Sequence, residues 1–594
     1  MANDQTIPAN VKGAVATFTV KVDGQVIPST YQVYSVTVIK EVNRVPVAKL
    51  TIIDGEPSKT TFAVSAADTF LPGKEITISA GHQSNEDPIF TGIILLHGIS
   101  LRRNGSSELK LECRDKAFKM TLGKKSAYYK DKKDSDIAGD LLRKYQLTVG
   151  TITDTKNKHA SLVQYDSSDW DFLLGRTDVN GKLVLVNDGS VDVKDPDFSL
   201  TPVLTLQHGS TIQEFDAEMD ARNQYTAVKA MGWDPDSQQI LSVDAAQPSK
   251  VKDNGNISPD DLAKVTGLDA MVLRHAGHLS REELQAWADA CWQKSRMAKI
   301  RGRVTFDGFA KIKTGDLVTL DGLGPRFNGN VFVSGVRHDI ANGGWTTVVQ
   351  FGMDPAWLTD KFLSGGIGAM GAPAGVSLSA LTPAIRGLHT GVVTQLEKDP
   401  AGEDRILVKI PMVNLSDDGV WARVATLDAG NNRGSFFRPN LNDEVLVGFL
   451  NDDPREAIVL GMLNSSKLPA PIQPKDKNPD KGFFFASKMK IQFNEDDKSM
   501  SFETPAGNKL VLSEKDKGIS LVDQNGNKLV LNKDGISLES ANKLSLKASK
   551  GDVSLEGMNV QQKASAQFKA EGTGGIEITS SALAKLKGSL VQIN

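Results

Sequence analysis

Gly507-Asn-Lys-Leu510-Val-Leu512, Gly526-Asn-Lys-Leu529-Val-Leu531 and Asn542-Lys-Leu544-Ser-Leu546 are one phrase written three times. Between and beyond the copies run Gly518-Ile519-Ser-Leu521, Gly535-Ile536-Ser-Leu538, Val553-Ser-Leu555 and Ile576-Glu-Ile578. Short apolar-x-apolar strands bounded by Gly, Asn and Asp, sustained from Lys481 to Asn594, are the signature of a β-structured repeat. This stretch has no Arg, Trp, His, Cys or Tyr, and after Phe502 its sole aromatic is Phe568. Each strand offers one apolar and one polar stripe, so a lone sheet would expose its apolar face and both edges. Three copies closing into a triangular prism solve that problem. They point Leu510, Leu512, Ile519, Leu521, Leu529, Leu531, Ile536, Leu538, Leu544, Leu546, Val553 and Leu555 at a shared axis and leave Lys, Asp and Ser outside. Roughly twelve strands stacked at about 4.8 Å would make a rod on the order of 60 Å long. The alternative is a parallel β-helix made by one chain, whose turns repeat more regularly and whose ends need capping.

Ahead of the repeat, composition marks the boundaries. Lys467 to Lys481, KLPAPIQPKDKNPDK, is rich in Pro and Lys; its prolines restrict φ and remove ladder donors, so 466–482 reads as a stiff strap. Residues 385–465 show tight strand–turn alternation, and 364–384, opening SGGIGAMGAPAG, is a small-residue linker. The first 363 residues are β-rich with helical inserts. Period-2 runs at Val15–Val22, Tyr31–Val38, Ala48–Ile53, Glu75–Ile78 and Ile89–Leu96, with Asp23-Gly24 as a turn, predict antiparallel strands. A second β-rich stretch, Gly302–Gly352, has the same character and suggests two related barrels. Helices are predicted over 135–145, with Ile137, Leu141, Leu142 and Tyr145 on one face, and over 168–180, with Trp170, Leu173 and Leu174 inward. A longer helix over 282–297 is expected to open on a capping box of Ser280 and Glu283, the serine oxygen accepting a free amide while the glutamate reaches back, and repeats Leu284, Trp287, Ala288 and Cys291 on one face.

Composition excludes several functions. The chain of 594 residues is 40% hydrophobic and 24% charged, with a net charge of -3, giving neither a polyanion-binding nor an acidic-tail signal. MANDQTIPANVKG lacks the basic and apolar regions of a secretory leader, and no window is apolar enough to span a membrane as a helix. Cys113 and Cys291 lie far apart in apolar contexts and read as two buried thiols, which fits folding in a reducing cytoplasm.

Taken together, several motifs resemble the VgrG proteins, the spikes of contractile injection systems such as type VI secretion, and the fused hub-spikes of contractile phage tails. In the first barrel these are Asn43-Arg-Val-Pro46-Val-Ala48 with Ile53-Asp54-Gly55, and Phe70-Leu-Pro72-Gly73 with Phe90-Thr-Gly92. Gln164-Tyr-Asp-Ser-Ser168-Asp169-Trp170-Asp171-Phe172-Leu173, followed by Arg176 and Asn180-Gly181, is similar to the family's most recognisable internal motif. Arg326-Phe-Asn328-Gly329, Val336-Arg-His338 and Gly343-Gly344-Trp345-Thr346 match the end of its hub. Asp399-Pro400, Arg405-Ile-Leu-Val408, Trp421-Ala422-Arg423-Val424, Asp443-Glu444-Val445 and Asp453-Pro454 resemble its OB-type barrel. The resemblance implies a mainly β chain with a two-barrel hub, an OB-fold barrel and a C-terminal trimeric β-prism needle over 483–594. It also implies a homotrimer that joins a sixfold inner tube protein to a threefold needle, among baseplate components and with effector cargo. The chain would leave the cell as part of a particle that meets a target envelope. With no enzymatic domain after Asn594, a PAAR-type tip protein is expected on Ser589, Leu590, Val591, Gln592, Ile593 and Asn594.

No catalytic constellation competes with that reading. His275 and His278, in His-Ala-Gly-His, have no Cys or carboxylate cluster beside them in sequence and are expected as loop histidines rather than metal ligands. Gly175–Lys182, GRTDVNGK, departs from a phosphate loop in spacing and has Leu183 where Ser or Thr would hold magnesium, so it reads as a helix ending in a turn. Glu495-Asp496-Asp497 sits beside Lys498 in a turn and reads as solvated. Phe436-Phe437-Arg438 is a weak nucleic-acid signal in a barrel whose acids match its bases. A structural role without cofactor, metal or nucleic acid is expected. The alternatives are a phage baseplate hub-spike and an envelope-degrading enzyme on a β-stalk.

Overall fold

Val20 and Val22 are buried while Lys21 between them stays in water, which is why the first alternating run folds as the strand Ala16–Val22. A computed structural model describes residues 15–56, 61–102, 107–359, 385–413 and 419–593. The linker expected over 364–384 and the expected docking residue Asn594 lie outside the described residues. The chain forms two units, Met1–Leu468 and Pro469–Asn594.

In the first unit a 13-stranded sheet is organised about one seam. The strand Gln32–Glu41 pairs antiparallel with Gly329–Ala341, setting Val36 opposite Ile340, Val38 opposite His338 and Lys40 opposite Val336. On one side follow Val47–Ile53, Glu108–Arg114, Asn85–Ser100, Glu75–His82 and Ala16–Val22; on the other, Gly344–Phe351, Ile300–Asp307 and Glu214–Met219. Each side covers its own core, one holding Val36, Leu50, Ile76, Ile78 and Phe90, the other Val304, Phe306, Leu320, Val349 and Phe351. The two β-rich pieces read from the sequence are therefore one continuous sheet with two cores. His338 is buried in the seam, its Nδ1 3.1 Å from Thr347 Oγ1, and burial, with Lys40 nearby, pushes its pKa down to about 3.

Helices pack on the smaller sheets of the first unit and build cores of their own with them. Helix α1 (Asp134–Lys144) buries Ile137, Leu141 and Leu142, with Tyr145 as its C-cap. Helix α2 (Asp169–Val179) starts where Ser168 Oγ accepts the Asp171 amide at 3.0 Å, and Trp170, Leu173 and Leu174 pack inward. The expected turn follows at Asn180 and Gly181, the glycine at φ 64°. Helix α3 (Pro259–Thr266) is absent from the sequence reading, although Ser258, Pro259, two acids in the first turn and a left-handed Gly267 all signal it. Helix α4 (Arg281–Met297) is capped by Ser280 Oγ, which accepts the Glu283 amide at 3.1 Å. Among the described residues no helix is long and apolar enough to cross a membrane. Cys113 and Cys291 are buried free thiols, and burial raises both to about 12.

The small barrel closes through His389–Gln395, Ile406–Lys409, Val420–Val424, Ala457–Met462 and Glu444–Phe449. Val393, Ile406, Val408, Ala422, Val445, Val447 and Val459 fill it, and Val163 of the hub packs in the same cluster. Gly391 is required where the barrel closes, since a Cβ there would meet Val408 Cγ1 at 2.4 Å.

The second unit is an antiparallel meander of seven five-residue strands: Asp480–Phe484, Lys490–Asn494, Ser499–Glu503, Lys509–Ser513, Gly518–Val522, Lys528–Asn532 and Gly535–Glu539. Successive strands pair in order, so the one-chain parallel β-helix does not describe it. The repeated Gly-Asn is turn chemistry: Gly507 and Gly526 sit at φ 93° and 89°, and Asp523 Oδ1 accepts the amides of Asn525 and Asn527 at 2.9 and 2.8 Å. The expectation of roughly twelve strands is corrected by the fold. The meander stops at Glu539, and no strand forms among the described residues 540–593 although the apolar-x-apolar pattern continues. Among the described residues, no segment of the chain serves those runs as a ladder partner.

Candidate functional site

The meander's register collects most of its apolar side chains on one face in two rows. Ile491, Phe502, Leu510, Leu521, Leu529 and Leu538 stand opposite one another in succession, and Phe493, Met500, Leu512, Ile519, Leu531 and Ile536 form the parallel row two residues along. The eight residues from Leu510 to Leu538 expected on a shared axis thus share one surface. It is not covered within the chain: Leu521 is 50% exposed and Ile536 75%. An open trough of about 1080 Å³ runs over the second row, lined by Phe493, Met500, Leu512 and Ile519. Leu544, Leu546, Val553 and Leu555 are also exposed, but they lie in the segment without strands and are not brought onto this sheet. Ser589, Leu590, Val591, Gln592 and Ile593, expected to dock a tip protein, are exposed there too.

Sequence reasoning missed Ile491, Phe493, Met500 and Phe502, which extend both rows. Their signal was present in the same two-residue spacing, Ile491-x-Phe493 and Met500-x-Phe502. The opposite face is mixed: it carries Phe484, Val511, Val522 and Val530, with Lys490, Glu503 and Lys509 side by side at 3.1 and 3.7 Å and Lys528 beside Glu539 at 3.9 Å. Glu495, Asp496 and Asp497 lie in a turn and pair with Lys481, Lys477 and Lys515. Hydrogen-bonded lysine, first Lys490 and then Lys509, holds the Glu503 carboxyl below its ordinary value.

A second constellation lies where the hub meets the small barrel. Asp134 accepts from Arg176 Nε at 2.8 Å, from His159 Nε2 at 3.0 Å and from Asn180 Nδ2 at 2.9 Å. Arg176 Nη2 stands 3.6 Å from Glu283 Oε1, and Glu283 Oε1 takes 2.6 Å from Arg455 Nη1. Arg455 Nη2 then reaches Asp453 Oδ2 at 2.6 Å. Asp134, His159, Arg176, Glu283 and Asp453 are buried, and Arg455 is nearly so, its side chain 11% exposed. Burial alone would raise the three carboxyls. The Arg176 charge with the His159 and Arg176 hydrogen bonds instead holds Asp134 far below the usual range, and Arg455 does the same for Asp453. Glu283 is lowered as well, by Arg455 and then Arg176, against burial.

Two expectations change here. The Glu283 carboxylate does not reach back to close a capping box on α4; a buried guanidinium claims it instead, a stronger partner than a backbone amide. His275 is not a loop histidine: it ends the strand Met271–His275, is buried, and has its Nδ1 accepting from the Gly277 amide at 3.1 Å. Its Nε2 is 3.3 Å from Asp453 Oδ2 without the alignment of a hydrogen bond. His278 is exposed, 3.7 Å from Asp234. Phe436 is exposed, with the Arg438 guanidinium 5.3 Å from its ring centre.

Family models match three stretches: the Alg8 N-terminal domain over residues 12–342, the type VI secretion system/phage-baseplate injector OB domain over 389–463, and the phage baseplate V C-terminal trimerisation domain over 499–561. No curated protein matches the chain. Among solved structures, a Francisella PdpA-VgrG complex, half-lidded, is similar over 89% of this chain and 89% of that one, at 12% identity and a TM-score of 0.50. An E. coli component of the type VI secretion system aligns over 75% of this chain and 99% of its own, at 11% identity and a TM-score of 0.47. A tail protein from Neisseria meningitidis aligns over 58% and 98%, at 17% identity and a TM-score of 0.41. The first likeness is one of fold. The first of the family models spans more than half of the chain, so the chain belongs to the Alg8 N-terminal domain family, and, with the injector OB and baseplate V trimerisation modules behind that domain, it has the build of a phage-tail-like hub-spike.

Proposed function

We propose that three copies of this chain assemble into the hub and puncturing spike of a contractile injection apparatus, with the two apolar rows of each meander turned to a common axis. The observation that carries this is the continuous apolar face from Ile491 and Phe493 to Leu538 and Ile536, left uncovered by its own chain. Returning such side chains from water stabilises an assembly by roughly 1–2 kcal/mol each, so the exposed face favours association strongly. Strand length favours three copies. A five-residue strand spans roughly 17 Å, and a triangle of that side has its centre about 5 Å from each face, half the usual 10 Å between packed sheets. Four copies would leave a hollow centre at that strand length.

The hub joins a sixfold inner tube to this threefold element within a baseplate, and sheath contraction drives the spike forward carrying a PAAR-type tip protein and effector cargo. Leu590 and Ile593, both exposed, offer apolar side chains for the tip protein. The role is mechanical rather than catalytic: the most strongly perturbed carboxylates, Asp134 and Asp453, are committed to ion pairs with Arg176 and Arg455, and Arg455 in turn joins the barrel to Glu283 of the hub. The test is the mass of the purified full chain by light scattering or sedimentation. A trimer is expected, and a stable soluble monomer overturns the assembly. Turnover of peptidoglycan or lipid by the purified chain, lost on changing one acidic residue, would overturn the mechanical role.

A further inference from the structure

The whole-chain charge of -3 conceals an uneven distribution. From Lys481 to Ser540, nine lysines face nine acids, and the fold pairs them locally, as in Lys481–Glu495, Lys498–Glu514 and Lys533–Asp534. From Ala541 to Asn594, seven lysines face only four acids, Asp552, Glu556, Glu571 and Glu577. Among the described residues there, Lys569–Glu571 is the ion pair formed, while Lys543, Lys547, Lys550, Lys563, Lys585 and Lys587 stand exposed. Even with every acid paired across copies, three lysines per chain, nine in a trimer, have no acid to meet. Alternation turns them outward. Lys543 and Lys547 flank Leu544 and Leu546, and Lys585 and Lys587 flank Leu586, so turning the leucines to an axis leaves the ammonium groups on the outside.

We propose that the stretch 541–593, once assembled as above, is a basic surface that docks on an anionic phospholipid membrane; the inference rests on the trimeric reading. Lysine is a compact point charge suited to diffuse attraction by headgroup phosphates, and each one near such a surface strengthens binding roughly fivefold. Nucleic acid is the poorer fit. This stretch has no arginine, and its lone aromatic, Phe568, has the same parity as Ala564 and Ala566 on the face opposite Lys563 and Lys569, so it presents no base-stacking platform outside.

The experiment is co-sedimentation of the full chain with vesicles of neutral phosphatidylcholine, or of phosphatidylcholine carrying about a third phosphatidylglycerol, with particle mass read first on every sample. The trimer is expected to bind the anionic vesicles and leave the neutral ones, and to be released by about 0.5 M salt. Changing Lys543, Lys547, Lys550, Lys563, Lys585 and Lys587 to Gln should cut anionic-vesicle binding at least about tenfold. The same number of Gln substitutions among the ion-paired lysines, at Lys481, Lys490, Lys498, Lys509, Lys515 and Lys528, should leave it nearly unchanged. A trimer that ignores both vesicles, binds both equally, or is indifferent to the distal substitutions overturns this inference alone. A monomer overturns the assembly and this surface with it.

Discussion

Arg455 Nη1 of the small barrel lies 2.6 Å from Glu283 Oε1 in the first turn of α4, joining parts of the chain 172 residues apart. The same guanidinium holds Asp453, so one side chain compensates two buried carboxylates. Removing one partner of a buried ion pair costs more than the pair contributes, because the remaining charge stays desolvated. Arg455→Ala should therefore destabilise the hub-and-barrel unit by about 3–5 kcal/mol. Ser280→Ala, which removes the cap of the same helix, should cost about 1 kcal/mol. Urea unfolding followed by tryptophan fluorescence compares the two, and equal small losses would show that the charge chain does not hold the barrel to the hub.

Acid should act on the same junction. Asp134, Glu283 and Asp453 all have carboxyls lowered in the folded chain, Asp134 and Asp453 from an ordinary 3.8 and Glu283 from 4.5. A lowered carboxyl contributes stability that is complete above its unfolded value and is lost as pH falls toward its folded one. Stability of the hub-and-barrel unit should hold from neutrality to about pH 5 and then decline steeply. Substituting Asp453→Asn should flatten that decline while lowering stability at neutral pH. Thermal unfolding across this range checks both, and an acid limb unchanged by the substitution would remove Asp453 from the account.

Neighbouring positions on one strand separate inward from outward. Leu521 is on the apolar face, half exposed, and Ser520 points to the opposite face, between Val511 and Val530. Leu521→Asp places a charge in each of three chains around the proposed axis, where desolvation and mutual repulsion add. It should abolish or severely weaken the trimer, whereas Ser520→Asp should leave the particle mass unchanged. A Leu521→Asp chain that remains a full trimer would move the interface to another face.

Much of this architecture is local in origin and was legible. The stripe of Leu510, Leu521 and Leu529 follows from spacing of two, the turns follow from Gly507 and Gly526, and α1, α2 and α4 follow from their apolar faces and caps. What escaped depends on distant partners. Glu283 has capping-box spacing from Ser280, but the residue that captures it lies in another domain. His275 looks like a loop residue until Asp453, far along the chain, comes beside it. The strand count failed for a related reason, since a run such as Leu544-Ser-Leu546 becomes a strand only when a ladder partner exists.

That dependence supplies the last prediction. Residues 540–593 keep the repeat's alternation but form no strand within one chain, while 480–539 pair strand to strand on their own. Backbone amides in a structured region need partners, and in the proposed assembly other copies provide them. In the assembled particle both stretches should resist amide hydrogen exchange, the first through bonds within each chain and the second through bonds between chains. Dissociating the particle, for example by Leu521→Asp, should then strip protection from 541–593 completely while some remains in 480–539, where the hairpins persist. Exchange read by mass spectrometry on both forms distinguishes the two stretches. If 541–593 exchanges freely even in the intact trimer, those residues do not form part of the shared rod, and their leucines face something other than the axis.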